Sequence, residues 1–390
     1  MKITILVGGK FHAFMLARIL ENLGCLDKII TTYPKFKLRN EKIPNSKIKP
    51  IILPSQVLKG LFEIDLPVRI KEYEASYFGF ASTLFLNNNS DAVYGFAGYS
   101  LEGAKKIKKR KGLFILDRAC PHVEHQEQLS REDAEKLQIK YASHTENWIK
   151  RCLEEYRIAD KIIVPSDFTL NSFIKRGIPS NKLYKIPLIG KSKFLSSEEI
   201  NKRKKQDNVF RVCAIGALFR KGTIYLLEAW NKLKLKNAEL LLRGSEKELL
   251  KSPVIAKELK KSDNIKILPY FKDINDFYLL GDVFCFPSVD DGFGMALMEA
   301  MACKLSVITT KNAGASEYVK DEKHGFVVPI RNPEAIAQKI EYFYSNRKTM
   351  EEYGEKAYSR VKKEFEENVY EREIANFLNK VQKDIISGNN

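Results

Sequence analysis

Residues able to do chemistry gather where apolar runs break into glycine. Residues 287–302 read Pro-Ser-Val-Asp-Asp-Gly-Phe-Gly-Met-Ala-Leu-Met-Glu-Ala-Met-Ala. A strand is expected to end at Pro287, a loop carries Asp290 and Asp291, and a helix begins near Phe293. Asp291 and Glu299 are eight positions apart, about two helical turns, which is expected to turn both carboxylates toward one crevice. Backbone N–H groups around Gly292, Phe293 and Gly294 would stand at the positive end of that helix. Two acids so placed suit a ligand rich in hydroxyls. An aspartate at a helix start is also an ordinary cap, whereas a lone Glu299 in an apolar helix needs a partner, because unpaired burial is costly.

Two further segments suit phosphate. Residues 216–223, Gly-Ala-Leu-Phe-Arg-Lys-Gly-Thr, put Arg220 and Lys221 between Gly216 and Gly222 at a strand-to-helix turn. Arg offers a fork to diphosphate oxygens and Lys a point charge; the alternative is a solvated loop with two surface cations. The P-loop spacing is absent. Gly8 and Gly9, followed by Lys10, Phe11 and His12, end the first apolar run. They either let backbone approach a phosphate or simply make a tight turn.

The elements that position these segments follow from periodicity. Short β-branched runs at 3–7, 28–31, 49–53, 91–94, 113–116, 161–164 and 183–188 alternate with helix-period stretches, and a second series follows at 210–215, 238–242, 264–268, 282–286, 305–309 and 325–328. Apolar strands separated by helices imply parallel sheets covered on both faces. The fold class is therefore α/β, with two Rossmann-like doubly wound domains. A polar stretch sets the boundary: domain one is 1–190, a linker 191–208, domain two 209–365, and a final helix 366–390 can return to the first domain. The chain has 390 residues and 44% hydrophobic composition, enough for two cores and too apolar for a disordered chain.

Taken together, these segments resemble the signature of the retaining glycosyltransferases of family 4 (glycosyl transferases group 1), which have the GT-B fold, implying a cleft between the two domains. In that family two glutamates separated by seven residues bracket a Gly-Phe-Gly loop and a helix ending in EAMA. Ala159–Ser166 is similar to the family's AD-x-IIVPS strand, residues 216–230 to its GxL…KG…LLEAW segment, and Asn312–Glu317 and His324–Val328 to its late elements. The resemblance covers most of residues 1–345. It implies a donor diphosphate held by Arg220 and Lys221 near Gly216, ribose hydroxyls on Glu299, and a donor sugar oriented by Asp291 with Gly292, Phe293 and Gly294. It also implies His122 beside the transferred sugar and Gly9 near the phosphates from the opposite domain. Two positions depart from the pattern: Asp291 stands where Glu is usual, and Ala217 where an Arg is usual. The activity implied is transfer of a hexosyl group from a nucleotide diphosphate sugar to a hydroxyl acceptor (glycan, glycolipid or lipid-linked) in surface polysaccharide or glycolipid synthesis, with retention and without a cofactor or metal. A nucleotide-sugar epimerase of the same fold is the alternative.

Charge bears on partners. The chain has 66 Lys+Arg against 49 Asp+Glu, and residues 1–185 hold 31 against 20, so +11 of the net +17 lies in the first domain. The basic runs 35–49 and 105–111 fit an anionic membrane surface better than nucleic acid, for which interleaved aromatics are expected; a non-catalytic nucleic-acid binder ranks last. Six scattered Cys without a CxxC pair argue against a disulfide framework, and His122-x-x-His125 is not a usual ligand pair. The expected location is cytoplasmic, peripheral at the inner face of the membrane.

Overall fold

The computed structural model describes residues 1–9, 11–53, 55, 68–139, 141, 143–189, 194–203, 207–216, 219–364 and 367–386. Ala217, the position where the family pattern has Arg, lies outside them. Two parallel sheets form. The first contains β1 (Ile3–Val7), β2 (Leu26–Thr31), β3 (Ile48–Pro50), β4 (Ala92–Phe96), β5 (Leu113–Asp117), β6 (Lys161–Val164) and β7 (Leu183–Lys185), in the order β3-β2-β1-β4-β5-β6-β7. The second contains β8 (Phe210–Ile215), β9 (Ala238–Arg243), β10 (Ile265–Leu268), β11 (Val283–Phe286), β12 (Ser306–Thr310) and β13 (Gly325–Val328), in the order β10-β9-β8-β11-β12-β13.

β1 and β4 are buried at every position, and so is β11. Helices cover both faces, which is why these strands read as unbroken apolar runs rather than alternating ones. The chain moves outward from β1 and then returns to β4 on the other side, and does the same from β8 to β11. Each sheet therefore has one switch point, where diverging connections leave a crevice beyond the strand ends. The loops after β1, β8 and β11 are the glycine-rich segments singled out above, so the topology alone brings them to the two crevices.

Stretch 191–208 is not only a linker. It carries a helix, Ser197–Arg203, and Leu195 and Ile200 are buried in the second domain's core beside Phe284 and Leu297. The helix Glu367–Ile386 crosses back, placing Tyr370, Ile374, Phe377, Leu378 and Val381 in the first domain's core with Ile3 and Phe14. That spacing is one helical face, and Lys161–Asp384 anchors its far end at 3.1 Å.

Candidate active site

After β8 the chain turns at Gly216 (φ +113°), passes a short 3-10 turn, Phe219–Lys221, and enters the helix Thr223–Leu233 through Gly222 (φ +73°). A Cβ on Gly222 would stand 2.0 Å from the Pro287 carbonyl oxygen, so both the positive φ and the close approach require glycine. The loop after β11 is laced to this turn. Val289 N–H donates to the Arg220 carbonyl at 2.9 Å, the Ser288 hydroxyl to the same oxygen at 3.1 Å, and Arg220 Nη1 to the Asp290 carbonyl at 2.9 Å. The next residue in each loop then meets its counterpart: the Lys221 ammonium pairs with the Asp291 carboxylate and lies 5.3 Å from the centroid of the Phe286 ring.

These side chains line a cavity of about 310 Å³ with Phe293 and Gly294 from the second domain and Ala119 and Leu188 from the first. Such a volume is at the lower end for a small-molecule site. The domains touch at its rim. A Cβ on Gly292 would lie 2.0 Å from the Ala119 carbonyl oxygen, and the Gly292 carbonyl accepts hydroxyls from Ser166 (2.6 Å) and Thr169 (3.0 Å). Ser166 also caps the helix Asp167–Ile174 by accepting from Thr169 N–H. Its place at the end of the Ala159–Ser166 motif thus follows from two tasks, ending β6 and holding the opposite domain. Glu317 adds a further tie, accepting from Asp167 N–H at 3.1 Å and pairing with Lys185 at 3.4 Å.

The buried acids are held differently. Asp290 is fully buried; burial raises its pKa, opposed by the Arg220 guanidinium and a hydrogen bond from Gln126. That Gln126 Nε2 donor crosses the domain boundary at 3.0 Å. Glu299, in the helix Met295–Met301, accepts from the Tyr278 hydroxyl at 3.0 Å. Burial raises its pKa as well, while Tyr278 and the nearby Arg243 pull it back. Arg243 stacks on the Tyr270 ring at 4.7 Å, and its buried Nε has no hydrogen-bond partner among the described residues.

The structure brings Lys221, Asp291, Phe293 and Gly294 to one cavity, with Gly292 at its rim. It does not bring the other expected residues there. Glu299 is not among the lining residues: the helix starts at Met295 rather than Phe293, so Asp291 lies in the preceding loop and the two acids do not share a helical face. Arg220 is engaged by Asp290 and braces the loop instead of joining Lys221. Gly216 contributes its turn and accepts the Thr223 hydroxyl at 2.7 Å. Gly9 follows β1 in the first domain, with the Phe11 ring 2.6 Å from where a Cβ would be. His122 is 2% exposed; its ring packs against Tyr156 (4.9 Å) and Phe173 (5.1 Å) and borders a different cavity, with Glu124 and Arg176. It does not line the Lys221 cavity. Ala119, Gln126, Asp290 and Arg243 were not legible as site residues, since their partners lie in another domain or strand. An ammonium over an aromatic ring and paired with a carboxylate, in a cavity at a switch point, can bind an anion bearing hydroxyls.

Comparison with known proteins agrees with this geometry. The family model described as glycosyl transferases group 1 matches residues 196–360. The capsular polysaccharide biosynthesis glycosyltransferase CapM of Staphylococcus aureus is 30% identical over 169 residues, 42% of this chain and 44% of its own. A probable sucrose-phosphate synthase of Thermosipho melanesiensis is 26% identical over 312 residues, 75% of this chain and 64% of its own. The chain thus spans from under half to just under two-thirds of the length of these curated relatives. Among solved structures, Anabaena HepE in complex with UDP-glucose superposes with a TM-score of 0.68 at 17% identity, over 97% of this chain and 100% of that one. The second domain is thus similar to the glycosyl transferases group 1 family over residues 196–360, and the chain, with two Rossmann-like sheets around one cleft, has the GT-B fold.

Proposed function

We propose that the chain transfers a hexosyl group from a nucleotide diphosphate sugar to a hydroxyl acceptor, with retention of anomeric configuration and without a metal, in surface polysaccharide or glycolipid synthesis. The observation that carries this reading is the Lys221–Asp291 pair in a cavity walled by both domains. Lys221 neutralises the departing diphosphate, the main electrostatic demand of the reaction. Asp291 and the backbone of Gly292–Gly294 orient the donor sugar, and Arg220 holds the two loops in register. Glu299, presented by Tyr278, binds the ribose hydroxyls beside the cavity. The acceptor enters over the first domain, past Ala119 and Leu188. UDP-glucose in HepE supports a nucleotide sugar as donor.

The test is product analysis with candidate donors and a hydroxyl acceptor, following the new anomeric centre by NMR. The reading expects an axial or equatorial linkage matching the donor, and loss of transfer by about 10²-fold or more in Glu299→Ala. Conversion of the donor without any acceptor would indicate an epimerase instead.

A further inference from the structure

The helix Val68–Thr83, with Leu84 just past its end, is apolar on two sides, although only one of them is covered among the described residues. Ala75 and Phe78 are fully buried against the first sheet, whereas Tyr73, Tyr77, Phe80 and Leu84 are 74%, 53%, 67% and 75% exposed, and Ile70 39%. Positions 70, 73, 77, 80 and 84 recur every three or four residues, which puts them in one row about 20 Å long. Singly exposed apolar residues are ordinary, but an aligned row marks a contact surface.

Cations rim the far end of that row. The neighbouring helix Leu101–Lys109 sends Lys106 Nζ to the Thr83 carbonyl at 2.7 Å, and Arg110 Nη1 reaches the Asn87 carbonyl at 2.9 Å. Lys109 and Lys111 are exposed nearby. The basic run 105–111 is thereby divided. Lys105 and Lys108 face Glu154 (3.9 Å) and Asp160 (2.7 Å), while none of Lys106, Lys109, Arg110 and Lys111 pairs with a carboxylate among the described residues.

We propose that this row docks the first domain on an anionic bilayer surface. Tyr73, Tyr77, Phe80 and Leu84 sit at headgroup depth, where rings with an apolar body and a polar tip are favoured, and the four cations that have no carboxylate partner among the described residues meet lipid phosphates. No helix among the described residues is long and apolar enough to cross a membrane, so the attachment is to the surface. Tyr73 also lines a cavity of about 340 Å³ with Glu72, Trp148 and Arg151, and Trp148 packs on Gly98, just beyond β4. The Tyr73 end of the docked row therefore lies at the cleft end of the first sheet, where a lipid-linked acceptor would present its hydroxyl, and its basic end lies toward the opposite end, where the Phe85 carbonyl accepts from Lys28 of β2. That last orientation rests on the transferase reading; the docking itself does not.

The test is co-sedimentation with phosphatidylcholine vesicles with and without phosphatidylglycerol, at low and high salt. The full-length protein is compared with two variants, Tyr77→Ser/Phe80→Ser/Leu84→Ser and Lys109→Glu/Lys111→Glu. Expected is binding to the phosphatidylglycerol vesicles that salt weakens and that each variant weakens by about tenfold or more, with melting curves showing both variants folded. No binding of the wild type at low salt would overturn the proposal. So would unchanged binding of the folded triple variant, or a wild-type dimer in light scattering that the triple variant loses. If the triple variant does not fold, unchanged binding of the charge variant overturns it. The assay uses neither donor nor acceptor, so it stands or falls apart from the transferase reading.

Discussion

Lys221 and Asp291, 70 positions apart in the sequence, form an ion pair across the loops that follow β8 and β11. Both are about four-fifths buried, so the pair counts for more than a surface one. Asp291 is also oriented locally, since its Oδ1 accepts from Phe293 N–H at 3.3 Å. On the proposed reading, a diphosphate approaching Lys221 meets a carboxylate already bound there.

Asp291→Asn keeps that local acceptor and removes the competing charge. Nucleotide diphosphate affinity should then rise by about three- to tenfold, while the turnover number falls by about 10²-fold as the sugar loses its orienting group. Calorimetry and steady-state kinetics on the same protein separate the two effects.

Gly292 is where the domains touch. In Gly292→Ala the new methyl meets the Ala119 carbonyl, so the loops must part. Second-domain nucleotide binding should survive within a few fold, transfer should drop by about tenfold or more, and small-angle scattering should show a larger radius of gyration. Unchanged scattering would show that the contact yields without opening the cleft.

His122 is held neutral. Burial, with Arg118, Arg176 and His125 nearby, lowers its pKa to about 3. The folded state therefore binds fewer protons than the unfolded chain between about 6.5 and 3, and this group's stability, full above pH 6.5, is lost as pH falls through that window. His122→Phe keeps the packing against Tyr156 and Phe173 and should narrow the wild type's loss of melting temperature between pH 7 and pH 5. Because the ring does not line the Lys221 cavity, transfer should stay within a few fold; a fall of about 10²-fold would restore the role beside the sugar that the family resemblance implies.

Glu155 has the opposite sign. Burial raises its pKa to about 7 against the pull of Gly98 and Ser100 N–H groups, Arg151 and Arg118. Its contribution is full below about pH 4.5 and is lost as pH rises through about 7. The two trends overlap near pH 5–6, so each is read as variant minus wild type: Glu155→Gln should flatten the decline in melting temperature from pH 6 to pH 8.

The fold was legible because parallel strands buried on both faces are short, apolar and bounded by glycine. The helix Val68–Thr83 was not, because apolar residues on both of its faces erase the single-stripe period. Within the site, Lys221 and Asp291 were readable from glycine-flanked turns after strands. Arg220 looked equivalent to Lys221 until the Asp290 carbonyl claimed it, and Glu299 looked aligned with Asp291 until the helix began at Met295. The contacts Gly292–Ala119 and Asp290–Gln126 join separate domains, and no local spacing encodes them.

Calorimetric titration of wild type and Lys221→Ala with UDP-, GDP- and ADP-sugars decides whether Lys221 holds the donor diphosphate. If Lys221 holds the diphosphate, one nucleotide class binds the wild type, and Lys221→Ala weakens this binding by about tenfold or more with its melting temperature little changed. Equal affinity in the folded variant would contradict it.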